Sequence, residues 1–142
     1  MEAPPPVSMA EKQSQLESRL AALKNPQDRL AWLARVARER PPLEDRWKTD
    51  AHRVEGCLAK TWFVAEFAEG RCRFRADSES AITRGVALLL CDFYSGQTPP
   101  EILAAPVSFL EKYGVHQHLT PNRRNSLSKL FIEIERFARA NL

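Results

Sequence analysis

Between His52 and Asp77 the spacing of apolar residues changes from a helical step to a step of two, and after Asp77 it changes back. That switch admits few folds, because a stretch of period two must lie in a sheet and its flanks must supply helices to cover it. Trp62 and Val64 fall on one side of the alternation, with Phe63, Ala65 and Phe67 on the other. Glu69-Gly70 supplies a hairpin turn, and Cys72, Phe74 and Ala76 form the inward side of the returning strand. A short strand around His52 to Glu55 completes the expectation of a small three-stranded antiparallel sheet, with a Gly56-Cys57 loop at one end.

The flanks read as helices. Leu16, Leu20 and Leu23 recur at helical spacing between Glu11 and Lys24. Asn25-Pro26 then restarts the chain: Asn25 caps, Pro26 suits the first helical position, and Asp28 favours the positive end. Leu30, Leu33 and Val36 stripe this second helix, which stops before Pro41-Pro42. Beyond the sheet, Asp77 to Ser80 caps a long helix through about Tyr94, with Ile82, Val86, Leu89 and Phe93 on one face. Gly96 suits its end, and Thr98-Pro99-Pro100-Glu101 starts a short helix. Thr120-Pro121 caps the last helix, striped by Leu127, Leu130, Phe131, Ile134 and Phe137. The fold class is therefore α+β, with helices packed on one face of the sheet. Residues 1–10, with Pro4-Pro5-Pro6, read as a disordered tail, and 11–142 as a single domain.

Composition excludes several classes. With 142 residues, 44% of them hydrophobic, the chain buries a core without staples. No apolar run approaches the roughly 20 residues that span a bilayer. Neither a membrane span nor a secretory leader is expected, so cytoplasm is the expected compartment. Three cysteines, Cys57, Cys72 and Cys91, form no C-x-x-C and leave at least one thiol free. The 21 basic residues exceed the 18 acidic ones only mildly, too weak a balance for nucleic acid. Arg71, Arg73 and Arg75 alternate on one side of a strand, as a solvated outer face does.

Chemistry concentrates on Cys57. Cys72 falls on the inward side of a strand and Cys91 within a helix, where thiols act as small hydrophobes. Cys57 instead follows Gly56 in a loop, where the backbone turns sharply and a thiol can meet a partner. Leu58, Trp62 and Phe63 are close enough in sequence to shelter it in an apolar hollow.

The stretch Val54-Glu55-Gly56-Cys57, with Trp62 after it, resembles the cysteine loop of the SufE family. Ala76 to Ile82 with Gly85, Thr98 to Ile102, and Gln117 to Arg123 are similar to three further segments of that family, in the same order. The similarity runs from about Asn25 to Leu142. Two positions depart from the family pattern: Ala59 stands where a serine is common, and Ser126 where glycine is common.

The resemblance implies a SufE-like fold and a sulfur acceptor rather than an enzyme. Cys57 is the implied persulfide-carrying nucleophile, fed by a SufS-type cysteine desulfurase whose own cofactor is pyridoxal phosphate. The sulfur then passes to iron–sulfur scaffold proteins, and the carrier itself binds no cofactor. Arg123 is the candidate for docking the partner or stabilising a thiolate, Gly56 the candidate hinge, and His118 a candidate proton acceptor. Two other classes stay open. One is a Cys-dependent hydrolase or transferase pairing Cys57 with His118 or His52. The other is a metal site of Cys57, His52, His116 and His118, whose spacings match no zinc pattern, so no metal is expected.

Overall fold

The computed structural model describes residues 8–105 and 115–142. Helix α1 (Met9–Ala22) and helix α2 (Pro26–Glu39) lead into two 3-10 turns, Asp45–Trp47 and Asp50–His52. Strands β1 (Thr61–Ala68) and β2 (Arg71–Ser78) follow, then α3 (Ala81–Tyr94), α4 (Pro99–Ala104), α5 (Val115–His118) and α6 (Pro121–Ala140). Most of the expected tail, residues 1–7, lies outside the described residues. Its last members do not: Ser8 caps α1 by accepting the Glu11 amide at 3.2 Å, and the helix begins at Met9.

The helix starts follow local chemistry. Asn25 accepts the Asp28 amide at 2.8 Å, and Ser80, Thr98 and Thr120 likewise accept from the third residue beyond. Helix α3 is apolar on almost every side, with the run Gly85 to Cys91 buried throughout, so it forms the centre of the core. Gly85 makes that packing possible. A Cβ at this position would stand 2.2 Å from the Leu33 carbonyl oxygen, so α2 and α3 touch backbone to backbone.

The sheet is antiparallel but has two strands, not three. Thr61 pairs with Ser78 and the register runs unbroken to Ala68 with Arg71. The turn places both Glu69 (φ 54) and Gly70 (φ 78) in the left-handed region. The expected strand at His52 to Glu55 is instead the last residue of a 3-10 turn, His52, followed by a short stretch that meets β1 through one rung. Arg53 bridges Trp62, and the Val54 amide donates to the Thr61 carbonyl at 2.8 Å. Gly56 (φ 83) then turns the chain away before a second rung can form. On the opposite edge, Cys72 and Gln97 form a similar single bridge.

Phe63, Ala65 and Phe67 share a side of the hairpin with Cys72, Phe74 and Ala76, and this side meets the helices. The other side is not simply solvated. Val64 is buried there, the Arg75 guanidinium lies 5.2 Å from the Trp47 ring centroid, and Arg75 pairs with Glu66. Arg73 is exposed, whereas Arg71 donates to the Gly96 carbonyl at 2.8 Å.

Substituting Gly85→Ala should lower unfolding stability by about 3 kcal/mol, because the two helices must separate to admit a methyl group. Denaturant titration of both proteins checks this, and an unchanged midpoint contradicts the close packing. Glu69→Asn should act oppositely, raising stability by roughly 0.5 kcal/mol, since asparagine tolerates the left-handed region better than glutamate.

Candidate functional site

The loop from Glu55 to Lys60 leaves the sheet at one rung and returns at the first residue of β1. Its neck is the bond from the Val54 amide to Thr61. After the cysteine, Thr61 donates its hydroxyl to the Ala59 carbonyl at 3.1 Å, and the Glu79 amide donates to the Lys60 carbonyl at 3.0 Å. Before the cysteine the support comes from α6. The side-chain amide of Asn125 donates to the Gly56 carbonyl at 2.7 Å. The Lys129 side chain, one helical turn further on, crosses Gly56, with Cε 3.2 Å from where a Cβ would sit.

Within this frame Cys57 turns inward, only 9% exposed, and joins the hydrophobic core cluster. Leu58 turns outward and is 78% exposed. Cys57 is thus sheltered, but not by the residues expected to line a hollow: Leu58 faces out, and Trp62 lies on the other side of the hairpin from Phe63, under the Lys48 ammonium at 5.8 Å. Cys72 and Cys91 are sealed more tightly, at 0% and 2% exposure. Burial pushes both thiols above the ordinary cysteine range, and at Cys91 the Asp92 carboxylate pushes the same way. All three cysteines are free of disulfides.

Beside the loop lies a cleft of about 220 Å³ where three parts of the chain meet. The loop contributes Leu58 and Ala59, the start of α3 contributes Ser80 and Thr83, and the start of α6 contributes Thr120, Arg123 and Ser126. Arg123, distant from Cys57 in sequence, thus comes to the same end of the molecule. Ala59 and Ser126, the two departures from the family pattern, line this one cleft. A larger cavity of about 540 Å³, between α1, α2 and α3, shares no lining residue with it.

Neither His52 nor His118 lines this cleft. His118 ends α5 with Nδ1 buried and without a hydrogen-bond partner among the described residues. His52 lies within hydrogen-bond distance of Thr49 at 3.1 Å and meets the Trp47 ring edge-on. Among the described residues no hydrogen bond links Cys57 to either histidine. Nor, among them, do three or more His, Cys, Asp or Glu side chains gather as metal ligands. The side chain of His116 lies outside the described residues.

Sequence reading missed Asn125 and Lys129. Their contact with Gly56 is tertiary, and nothing in the spacing of the chain announces it.

Residues 14–138 match the family model described as SufE: Fe-S metabolism associated domain. The chain is 41% identical over 87 residues to SufE-like protein 1, chloroplastic/mitochondrial, of Arabidopsis thaliana, covering 61% of this chain and 24% of that protein. It is 28% identical over 107 residues to an uncharacterized SufE-like protein of Synechocystis, covering 75% of this chain and 67% of that one. A chloroplastic quinolinate synthase of Nicotiana tabacum is 32% identical over 130 residues, 88% of this chain but 18% of that protein. The chain thus spans about a quarter or less of two of these relatives. A solution structure of a hypothetical protein from Thermus thermophilus shares the fold, with a TM-score of 0.73 at 22% identity, covering 92% of this chain and 95% of that one.

At about pH 8, where ordinary thiols are partly ionised, iodoacetamide should label Cys57 in the native protein and reach Cys72 and Cys91 only after denaturation. Peptide mass mapping checks this order. Labelling of either core cysteine as fast as Cys57 contradicts it.

Proposed function

The chain belongs to the SufE family, and from that premise we propose that it accepts persulfide sulfur on Cys57 from a pyridoxal-phosphate-dependent, SufS-type cysteine desulfurase. It carries the sulfur onward for iron–sulfur cluster assembly and stimulates the desulfurase by clearing its product. It acts as a carrier without a cofactor of its own.

The observation that supports this reading most is the contrast among the three thiols. All three are buried, but Cys57 sits on a loop at the edge of the core, 9% exposed and next to an exposed leucine, whereas Cys72 lies in a strand and Cys91 in a helix, at 0% and 2%. A persulfide carrier needs that separation, because a second thiol beside the first would attack the persulfide and close a disulfide.

The exchange balances without an added oxidant. The Cys57 thiolate attacks the outer sulfur of the donor persulfide, and a new sulfur–sulfur bond forms at Cys57. The donor's own sulfur–sulfur bond breaks, and its inner sulfur leaves as thiolate. The carrier then holds Cys57-SSH, whose outer sulfur is open to attack by an acceptor thiolate.

Arg123, half-buried on the rim of the adjoining cleft, supplies a fixed positive charge near the loop. It can hold a carboxylate of the partner or balance a thiolate as the persulfide is passed. No helix among the described residues is long and apolar enough to cross a membrane. A thiol carrier of this kind works in a reducing compartment such as the cytoplasm.

The test mixes the protein with a cysteine desulfurase and free cysteine and weighs it intact. Wild type, Cys72→Ser and Cys91→Ser should gain the mass of sulfur, and Cys57→Ser should not. A Cys57→Ser protein that gains sulfur at the normal rate overturns the assignment. Arg123→Ala should slow the gain roughly tenfold, the effect of one lost charge-assisted contact.

A further inference from the structure

Gly56 and Cys57 share one planar peptide unit, so a group that grips the Gly56 carbonyl also fixes the plane that carries the Cys57 amide. Asn125 grips it, through a hydrogen bond of 2.7 Å from a helix 69 residues away. Lys129 stands four residues later on the same side of α6 and closes over Gly56. The left-handed backbone at Gly56, φ 83, is open to glycine without strain and leaves room for the lysine stem. Ala59 and Lys60 have their own ties to Thr61 and Glu79, both after the cysteine. On the side before the cysteine, between the Val54–Thr61 rung and Cys57, the tie comes from α6.

We propose that Asn125 is a positioning residue for sulfur transfer: its side-chain amide latches the Gly56 carbonyl and thereby sets how often Cys57 leaves its sheltered place. The latch has the right strength for this. Asn125 and Gly56 are both exposed, so water competes for the bond and replaces it when the loop swings out. A latch made of a single solvent-accessible hydrogen bond shifts a local opening equilibrium without affecting the core. Ordinary ties before and after the loop then act as the ends of the moving segment.

The assignment takes Cys57 as the sulfur-carrying residue from the reading above, but its test needs no desulfurase. Asn125→Ala removes the donor, and Asn125→Asp keeps the size and shape while replacing the N–H donor with a carboxylate. In each, the iodoacetamide labelling rates of all three cysteines are followed by peptide mass mapping, with Cys72 and Cys91 as internal references. Cys57 should label roughly fivefold faster in both variants, the effect of losing one ordinary hydrogen bond, while the core cysteines stay at their wild-type rates. An unchanged Cys57 rate in either folded variant overturns the latch. So does equal acceleration at all three positions, which reports loosening of the whole fold. Failure of both variants to fold also overturns it, because Asn125 would then be a folding residue. A protein that shows the selective acceleration yet takes up no sulfur keeps the latch and loses the functional reading. The reverse pattern does the opposite.

Discussion

One buried carboxylate ties together, by charge and hydrogen bonds, parts of the chain that the apolar core otherwise holds only by packing. Asp77, at the end of β2, is 4% exposed and stands between Arg84 Nε at 2.9 Å and Lys48 Nζ at 3.1 Å. The Arg84 contact is one of charge rather than an aligned hydrogen bond. The carboxylate also accepts the amides of Leu43 and Ser78. Arg84 reaches on to the carbonyls of Ala37, Arg40 and Pro41, which end α2. One cluster thus fastens the hairpin, the start of α3, the end of α2 and the irregular segment between α2 and β1. Such a cluster gains little over apolar packing, but losing the Asp77 carboxylate costs about 3–5 kcal/mol because Arg84 and Lys48 are left without a counter-charge. Its value is specificity: it fixes which end of the hairpin faces α3.

That choice positions the cysteine loop. Thr61 and Ser78 face each other in the strand register, and their hydroxyls lie 3.0 Å apart, wholly enclosed. Immediately beyond them Glu79 holds Lys60, and Ser80 begins α3. The loop's return is therefore fixed by residues adjacent to the buried carboxylate, and its departure by the Val54–Thr61 rung, with Asn125 of α6 holding the Gly56 carbonyl beyond it. Between that rung and β1, the stretch before the cysteine has one side-chain bond, so it can move without unravelling the sheet.

What was legible in the sequence was local. The caps at Asn25, Ser80, Thr98 and Thr120 depend on a side chain and an amide three residues away, and spacing reveals them. The hairpin was visible through its alternation and its Gly70. The third strand was not a strand, because pairing depends on the backbone path, and Gly56 diverts that path after one rung. Trp47 gave no sign that it would cover Arg75, since neither periodicity nor charge links them. At the site, Cys57 and Gly56 could be singled out from their loop, and Arg123 from the family resemblance. Asn125 could not, because its importance lies in a carbonyl it reaches across the fold. Leu58 read as part of the cysteine's shelter, because its neighbours are apolar, and the turn of the loop places it outside instead. A one-residue rotation about the left-handed glycine decides which of two neighbours points inward, and here that neighbour is the cysteine.

The two departures from the family pattern acquire a shared meaning in space. Ala59 and Ser126 lie on facing parts of one small cleft, so a hydroxyl common in the family is missing from the loop wall and an extra one stands on the α6 wall. The Ser126 hydroxyl is not offered to the cleft as a free donor. It donates to the Asn122 carbonyl at 3.2 Å, back along its own helix, and the residue is 3% exposed. The cleft therefore loses a polar group on the loop side without regaining one opposite. With Leu58 exposed at its mouth, that side becomes more apolar, and Arg123 remains the charged group on the rim. The polar groups that remain come from the helix starts, Ser80 and Thr83 on α3 and Thr120, Asn122 and Arg123 on α6, so the cleft is polar on its helical walls and apolar on the loop that carries Cys57.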